Sequence, residues 1–524
     1  MFFLRLFQII VVSLLPFNVQ SSPVIGESFS PGRSFAASRT ASAASSTVSV
    51  ALGGVTYVNK GIVGFGLILS NFTDSLGDTL GGIGSAIAFK QATWKSLSNG
   101  SYTGTLVVHP DRGFNVISTV DYRARQHDIN FVFTPYTGTE DLDFESAQKT
   151  LQLAYVETTL QFDRGGGNTS GLDALAIRPA ESGFPDADAL ADPEMPIANA
   201  TYQHLTIDAE GMIAASDGSY WVSDEYGPYI YHFTANGSLI QTIQPPDAFL
   251  PLDSHGNVDF TSVVNPTTGR AGNTGFEGLT LDASSNVLYA MLQAATIQDG
   301  GDDDDTSLYT RMVAYDIADA TITRPTLVGE WVVPLPVSTS KSKTRKCSEI
   351  HFVSENVFLA LSRDGNGNGA GTSSSDTTSK YKQADLFSIV NATNIAGSKF
   401  DDPSNPVAPN GVLDESVAPA TYVSFVNYID DDQLARFGLH NGGDEDSTLV
   451  NEKWESLALA PVNDSANPDD YFLFTASDND FLTEDGISIG VPYNAGVNVD
   501  NQFLVFQVTL PSVSPGSVQL AIGV

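Results

Sequence analysis

The sequence has few of the residues on which several classes of protein depend. It contains one cysteine, Cys347, so the chain cannot form an internal disulfide. Lys and Arg number 25 against 61 Asp and Glu, which gives a formal charge of −36. Nucleic acids and anionic membranes bind basic surfaces, so this charge argues against both as partners. The seven histidines have no metal-binding spacing, and a zinc site is therefore not expected.

Long apolar runs are missing beyond the N-terminus. The run from Leu6 to Phe17 follows Arg5, is short for a membrane helix and is typical of a secretory signal peptide, which we place at residues 1–21. Residues 22–50 are rich in Ser and Ala and are predicted to be a flexible segment. We therefore expect a secreted, extracellular monomer with no membrane contact after signal cleavage.

Seven Asn-x-Ser/Thr sequons fit this extracellular route, because such sites on surface loops of secreted proteins accept glycans. We therefore expect a glycoprotein. The seven asparagines are Asn71, Asn99, Asn168, Asn199, Asn236, Asn391 and Asn463.

Short runs of Val, Ile, Leu, Phe, Tyr and Trp between Gly, Asn, Asp and Ser dominate the rest of the chain, while helical periodicity is scarce. This spacing is typical of many short antiparallel strands. The polar segments 165–167, 179–196, 300–305 and 365–379 are interpreted as long loops at the rim of the fold.

Four segments repeat one plan, in which a glutamate opens a strand, a turn reverses the chain and the return strand ends in a polar cluster. Because a hairpin brings its two ends together, each glutamate should lie at the same sheet edge as its closing cluster. The opening glutamates are Glu210, Glu277, Glu349 and Glu455.

This repeat predicts an all-β fold, a single β-propeller of six or seven four-stranded blades with long rim loops, in residues 51–524. The innermost strands of a propeller line a channel, so the opening glutamates would converge on one channel mouth. The last strand, 503–508, is expected to pair with 55–63 and close the ring. A pair of β-sandwiches is the competing architecture, but it offers no reason for glutamates to recur at matching places.

At these repeats the chain resembles the phytase-like family, which is also described as having esterase-like activity. The resemblance spans residues 81–510 and implies a propeller that hydrolyses esters or phosphate esters. The matching stretches are Asp208–Gly211, Tyr220–Glu225, Gly275–Leu279, Ser362–Asp364, Trp454–Leu457 and Ser477–Phe481.

Carboxylates gathered at one mouth repel one another, so either their pKa values rise or a cation binds. We expect calcium, which takes six to eight oxygen ligands. The alternative is that the acids are structural clamps that hydrogen-bond neighbouring blades. The predicted metal ligands are Glu210, Glu277, Glu349, Glu455, Asp478 and Asp480.

In the hydrolysis of a phosphate ester, a metal-held water is the expected nucleophile, and Glu225 and Asp224 are the predicted catalytic carboxylates, with Glu225 as general base. Arg363, Arg123 and Lys453 are the candidate cations for an anionic substrate, although each can equally be a salt-bridge partner. We therefore expect a metal-dependent hydrolase of a small-molecule ester or phosphate ester. Two alternatives stay open: a non-catalytic extracellular propeller that binds a ligand or partner, and a lactonase-like ester hydrolase.

Overall fold

The computed structural model describes residues 47–115, 118–185, 187–338, 343–370 and 377–524. The predicted signal peptide (1–21) and residues 22–46 of the Ser/Ala-rich segment lie outside the described residues. The strands, in chain order, are β1 (Val48–Leu52), β2 (Val55–Ile68), β3 (Ala86–Phe89), β4 (Lys95–Ser96), β5 (Tyr102–His109), β6 (Arg125–Phe133), β7 (Leu151–Leu160), β8 (Thr169–Ser170), β9 (Ala176–Arg178), β10 (Met195–Ile197), β11 (Leu205–Thr206), β12 (Ala209–Ala214), β13 (Tyr220–Asp224), β14 (Ile230–Phe233), β15 (Leu239–Ile243), β16 (Phe276–Asp282), β17 (Val287–Leu292), β18 (Tyr309–Asp316), β19 (Thr326–Pro334), β20 (Cys347–Ser354), β21 (Val357–Arg363), β22 (Lys382–Ser388), β23 (Thr421–Asn427), β24 (Lys453–Pro461), β25 (Asp470–Asp478), β26 (Gly486–Ser488), β27 (Val491–Tyr493) and β28 (Asn501–Thr509).

Helices are few and short in this part of the chain, so the fold is nearly all β. None of them is long and apolar enough to cross a membrane. The α-helices are α1 (Phe144–Ala147), α2 (Asp431–Ala435) and α3 (Ser517–Ile522), and single 3₁₀ turns lie at Gln148–Thr150, Ile297–Asp299, Lys399–Asp401 and Pro409–Gly411.

The described strands form six sheets of four or five strands and a two-stranded ribbon, β26–β27. Neighbouring strands are antiparallel except β8 and β11, which are parallel. We name the sheets by their strand order: sheet A is β1-β2-β28-β25-β24, sheet B is β3-β5-β6-β7 with β4 beside β5, sheet C is β8-β11-β10-β9, sheet D is β12-β13-β14-β15, sheet E is β16-β17-β18-β19 and sheet F is β20-β21-β22-β23.

The four predicted hairpins are all present, as β12–β13, β16–β17, β20–β21 and β24–β25. Strands with a neighbour on each side, such as β21 and β25, are buried on both faces, which explains their nearly continuous apolar sequences. The predicted pairing of the last strand with the N-terminal strand is also confirmed, because β28 lies between β25 and β2.

One edge strand from each of five sheets, which we call its inner strand, contacts the next in a cycle: β3 contacts β12, β12 contacts β16, β16 contacts β20, β20 contacts β24, and β24 contacts β3. A separate hydrophobic core fills each gap between successive sheets of this cycle, in the order A, B, D, E, F and back to A. Sheet C contributes Met195 and Leu205 to the core between sheets B and D. The cycle therefore places the starts of equivalent strands beside one another.

Candidate functional site

The inner strands of sheets D, E, F and A, which are β12, β16, β20 and β24, each contain a β-bulge close to their start. In β12 the extra residue falls at Glu210-Gly211, in β16 at Glu277, and in β24 at Glu455. A bulge sets two residues opposite one, bends the strand and redirects a side chain. Three of the predicted glutamates therefore occupy equivalent, redirected positions at the starts of inner strands.

Glu349 is not equivalent to these three, which corrects the sequence prediction. In β20 the register shifts between Cys347 and Glu349, so the extra residue is Ser348. A shift of one residue along a strand turns the side chain to the opposite side of the sheet. Oε1 of Glu349 accepts hydrogen bonds from the backbone N–H groups of Leu279 (2.9 Å) and Ile350 (2.8 Å). These contacts join sheets E and F, which is the structural role that the clamp alternative gives to the acids.

Asp208, Glu210 and Glu225 form a tight group of buried carboxyl groups, which we call the acidic trio. One oxygen from each residue lies within 4.8 Å of the others. Asp208 directly precedes β12 and Glu225 directly follows β13. The two ends of one hairpin therefore bring the trio together, as the sequence predicted for Glu210 and Glu225.

Glu277 and Glu455 lie within electrostatic range of the trio. Burial, followed by the charges of Glu277 and Glu225, raises the pKa of Glu210 well above its ordinary value. Burial and the charges of Glu225 and Glu455 do the same to the pKa of Glu277. Burial and then Asp208 raise the pKa of Glu225 to about 8. Burial and mutual repulsion thus favour the protonated forms of these carboxyl groups, and a bound cation would favour the charged forms.

Two buried carboxylate oxygens of this group have no hydrogen-bond partner among the described residues: Oε1 of Glu225 and Oε2 of Glu277. The other carboxylate oxygen of Glu277 accepts a hydrogen bond from the side-chain amide of Gln293. Buried polar atoms are nearly always paired, so these two oxygens indicate a position for a ligand. In the acidic trio, one oxygen of each residue lies within 4.8 Å of the others, a spacing at which one ion can be bound at the 2.3–2.6 Å distances typical of calcium, and the all-oxygen donor set suits that ion.

Asp111, Asp478 and Asp480 form a second group with one oxygen each within 4.8 Å of the others. This group surrounds the ammonium of Lys453, which donates to Asp478 and, at 2.8 Å, to Asp480. Its Nζ also lies 3.7 Å from Glu455. Lys453 therefore takes the salt-bridge role that the sequence left open, and the metal-ligand role of Asp478 and Asp480 stays a prediction.

Arg363 likewise pairs with acids of the site. It donates to Glu455, and its Nη1 lies 4.0 Å from Glu452. Arg123 is exposed, and its recorded electrostatic neighbour is Tyr202 rather than a carboxyl group of the trio. Of the three predicted substrate-binding cations, Arg363 and Lys453 thus form ion pairs with acids of the site. Arg123 lies near Tyr202, and no contact between it and these acids is seen in the described residues.

Arg112 is a cation of the site that the sequence reasoning missed. Its Nη1 lies 3.1 Å from Asp208 and donates to the hydroxyl groups of Tyr226 (3.4 Å) and Ser262 (3.3 Å). Its Nε is buried without a hydrogen-bond partner in the described part of the chain. Arg112 therefore borders the acidic trio with donor capacity to spare.

Asp224 shapes the end of the β12–β13 hairpin. Its Oδ1 accepts from the backbone N–H of Asp208 (2.8 Å), and its Oδ2 accepts from that of Gly227 (2.7 Å). Burial raises the pKa of Asp224 to about 7. Both oxygens accept from the backbone, so these contacts are structural, and the catalytic role of this residue stays a prediction.

Glycine follows the bulge glutamate in β12 and β16 because neighbouring inner strands approach very closely there. A Cβ at Gly211 would lie 2.6 Å from Cβ of Leu279, and one at Gly278 would lie 2.8 Å from the backbone N of Ile350. Real Cβ atoms do not come this close, so a larger residue would push apart the strands that carry the glutamates.

Asp111 and Arg112 were missed because they follow β5 of sheet B, whose first strand has no opening glutamate. Their position just beyond a strand end, at the edge where the other polar clusters lie, was the available signal. Asp208 stands inside a stretch that carries the family resemblance, Asp208–Gly211, and was not assigned a role.

The predicted glycosylation sites lie at the surface to differing degrees. Asn71, Asn99, Asn236, Asn391 and Asn463 are exposed, and Asn168 and Asn199 are half-buried. Glycosylation at these positions stays a prediction.

Residues 92–481 match the family described as phytase-like, esterase-like activity of phytase. The chain therefore belongs to the phytase-like family. An uncharacterized secreted protein of Arthroderma benhamiae is 38% identical over 467 residues, which cover 83% of this chain and 90% of that protein.

Similarity to solved structures is weak. A luciferin-regenerating enzyme has a TM-score of 0.26 at 11% identity, covering 82% of this chain and 92% of its own. A gluconolactonase of Xanthomonas campestris has a TM-score of 0.25 at 11% identity, covering 88% of this chain and 91% of its own. A protein of unknown function from Dyadobacter fermentans has a TM-score of 0.29 at 10% identity, covering 86% of this chain and 98% of its own. At these TM-scores the similarities support no conclusion about fold or chemistry.

Proposed function

We propose that this protein is a secreted, calcium-dependent hydrolase of phosphate esters or other esters, and that its active site is the acidic trio with Glu277. One observation carries the proposal: the group contains two buried carboxylate oxygens without a partner in the described residues, on Glu225 and Glu277. Family membership supports ester hydrolysis as the reaction. The secreted relative and the N-terminal sequence support export.

The architecture that accounts best for the site is a β-propeller. Its support is the cycle of contacts between β3, β12, β16, β20 and β24, with one core between each pair of successive sheets. In a propeller these five strands line the central channel, and the strand starts form one mouth. The trio, Glu277 and Glu455 would then surround the axis of the molecule.

In the proposed site, Glu210 and Glu277 would hold the calcium ion, and Asp208, beside Arg112, would contribute an oxygen. The chemistry that calcium would supply there is positive charge, which would polarise an ester or phosphoryl oxygen and make a nearby water more acidic. Glu225 accepts the proton of the attacking water through its unpartnered Oε1. Arg112 faces the developing negative charge with its spare donors, where charge-assisted hydrogen bonds are strongest.

The test compares Glu225→Gln with Glu349→Gln, which makes the same chemical change in a glutamate that has backbone clamp contacts. Turnover of p-nitrophenyl phosphate, p-nitrophenyl acetate and a sugar lactone is measured with calcium and after chelation. We expect chelation to abolish turnover and Glu225→Gln to lower kcat/KM at least a hundredfold, because a lost general base costs about 10² to 10⁴. Glu349→Gln should keep wild-type turnover. Equal turnover in wild type, chelated protein and Glu225→Gln would refute the proposal.

A non-catalytic propeller is the second candidate, and specific contacts favour it. Glu349 and Asp224 are engaged by backbone amides, and Lys453 and Arg363 already neutralise part of the acid. If the acids only stabilise the fold around an ion, calcium will raise the Tm while none of the three substrates is turned over. Turnover of the lactone alone would instead favour the lactonase-like alternative.

A further inference from the structure

A cavity lies at the centre of the cycle of inner strands, and we call it the inner cavity. All five inner strands and the last turn of α3 contribute to its wall. The lining residues are 87–89 of β3 and the adjacent 91, 212–214 of β12, 279–281 of β16, 349 and 351 of β20, 457–459 of β24, and 521–522 of α3. On β12 and β16 the cavity begins two residues beyond Glu210 and Glu277, so it is separate from the acidic trio.

Helix α3 covers the end of the inner cavity at which β3 and β12 finish. The carbonyl oxygen of Ala521 accepts a hydrogen bond from the side-chain amide of Gln91 (2.7 Å), and that of Ile522 accepts from the backbone N–H of Ala92 (2.9 Å). The same amide of Gln91 donates to the carbonyl oxygen of Ala214 (2.9 Å), which is the last residue of β12. The helix is therefore tied to the residues that end two inner strands.

Most of the wall is aliphatic. Ala88, Ile213 and Leu281 line the cavity from three inner strands, and each keeps part of its surface accessible. The free space is about 70 Å³. One water molecule needs about 10–15 Å³ of such space, so there is room for about five water-sized atoms. A mainly apolar cavity gives water few hydrogen bonds and instead suits a small molecule with an apolar body.

His351 brings an unused hydrogen-bond acceptor to this wall. Its Nδ1 lies 2.8 Å from the carbonyl oxygen of Phe352 and must donate to it, because a carbonyl oxygen only accepts. Burial lowers the pKa of His351 to about 4, so the ring is neutral near pH 7 and its Nε2 is an acceptor. In the described part of the chain this Nε2 has no hydrogen-bond partner. The hydroxyl of Thr280 and Oε1 of Glu349, which share the wall, already accept from backbone N–H groups.

We propose that the inner cavity binds a short, uncharged aliphatic alcohol, whose hydroxyl group donates to Nε2 of His351. The aliphatic wall matches the hydrocarbon chain of such a ligand, and the free space limits the ligand to about five non-hydrogen atoms. Because Nε2 can only accept, the ligand must supply the donor. A hydroxyl group does so without the cost of burying a charge. The inference goes beyond the proposed function, since this binding requires neither the acidic trio nor turnover.

The test titrates the full-length protein with 3-fluoropropan-1-ol and with 1-fluorobutane, in which a methyl group replaces the hydroxyl, and follows binding by fluorine NMR. His351→Phe keeps a ring of similar size but removes the acceptor, and Ala88→Leu fills the cavity from another strand. Ala154→Leu adds the same carbon atoms at an exposed position of β7 and is the matched control. The thermal midpoint of each variant verifies that it is folded.

We expect the Kd of the alcohol to rise at least about tenfold in His351→Phe, because its buried hydroxyl loses its acceptor, and in Ala88→Leu, because the space is filled. The Kd of 1-fluorobutane should rise in Ala88→Leu alone, and Ala154→Leu should bind both probes as wild type does. Failure of wild type to bind the alcohol would overturn the inference. So would wild-type alcohol affinity in folded His351→Phe or in folded Ala88→Leu. Binding with the expected dependence on both residues, in a protein without any turnover, would retain the alcohol site and count against the hydrolase proposal alone.

Discussion

Replacing Gly211 with alanine tests whether the close approach of inner strands holds the site together. The new Cβ would lie 2.6 Å from Cβ of Leu279, 2.7 Å from Oγ of Ser223 and 2.8 Å from the carbonyl oxygen of Glu277. Ordinary contacts between such atoms are about 3.5–4.0 Å, so β12 and β16 must separate by much of an ångström. Two of the three neighbours belong to β16, and neither can rotate away.

The separation also strains a hydrogen-bonded link between the two sheets. The N–H of Gly211 donates to Oγ of Ser223 (2.8 Å), and that hydroxyl donates to the carbonyl of Glu277 (3.2 Å). Overpacking costs about 1–3 kcal/mol and each weakened hydrogen bond about 1 kcal/mol, so the free energy of unfolding should fall by about 2–4 kcal/mol. Calcium affinity should fall as well, because Glu210 is the adjacent residue.

Gly165→Ala is the matched control, since its Cβ would have no heavy atom within 4 Å. We expect it to change stability by less than about 1 kcal/mol, and in the stabilising direction if at all. Urea denaturation followed by circular dichroism and calcium titration of both variants provide the comparison. If Gly211→Ala unfolds at the wild-type urea concentration and binds calcium as wild type does, the inner strands are not packed as described.

Two further predictions concern buried acids outside the proposed ligand set. Burial raises the pKa of Glu330 to about 7, although Arg311 lies 2.9 Å away, so the folded state binds this proton more tightly than the unfolded state. The free energy of unfolding should therefore fall as pH rises from about 4.5 to about 7, by up to about 3 kcal/mol from this group. Thermal scans of Glu330→Gln should show a smaller decline over the same range. An unchanged pH slope would contradict the raised pKa of Glu330. Glu349→Ala leaves the two backbone N–H groups of Leu279 and Ile350 without their acceptor and should cost about 2–4 kcal/mol in urea denaturation, while Glu349→Gln should cost less than about 1 kcal/mol. Equal losses in the two Glu349 variants would mean that the charge, and not the acceptor oxygen, stabilises the fold.

The hairpins and the shared sheet edge could be predicted from sequence because they follow from local patterns that repeat. Alternating runs and turn residues locate β12–β13 and β16–β17, and hairpin geometry then brings Glu210 and Glu225 together. The closing pair of β2 and β28 was predictable because a sheet edge left open is costly.

The position of Glu349 could not be predicted in the same way, because this glutamate lies one residue beyond the bulge that Glu277 and Glu455 occupy in their strands. A glutamate near the strand start suggested equivalence, but the bulge in β20 falls at Ser348. The location of a bulge depends on hydrogen bonds between strands and leaves no reliable mark in the sequence of one strand.

Contacts between distant segments account for the remaining differences. Lys453 lies among Asp111, Asp478 and Asp480 because sheets A and B meet there, and no local pattern predicts which acid a long flexible side chain will reach. Arg112 contacts Asp208 across almost a hundred residues of sequence. Such pairings depend on how whole sheets are packed, and the sequence reasoning had no measure of this.

Strand β2 lies between β1 and β28, so hydrogen bonds within one sheet join the N-terminal strands to the last strand of the chain. One edge of Val55–Ile68 pairs with β1, but its other edge pairs with Asn501–Thr509, which is synthesised almost last. Until then the backbone donors and acceptors of that edge are open to other chains, and the single cysteine offers no cross-link to hold an early intermediate. A chain that stops before its last strand therefore leaves an open sheet edge at which other chains can pair and aggregate.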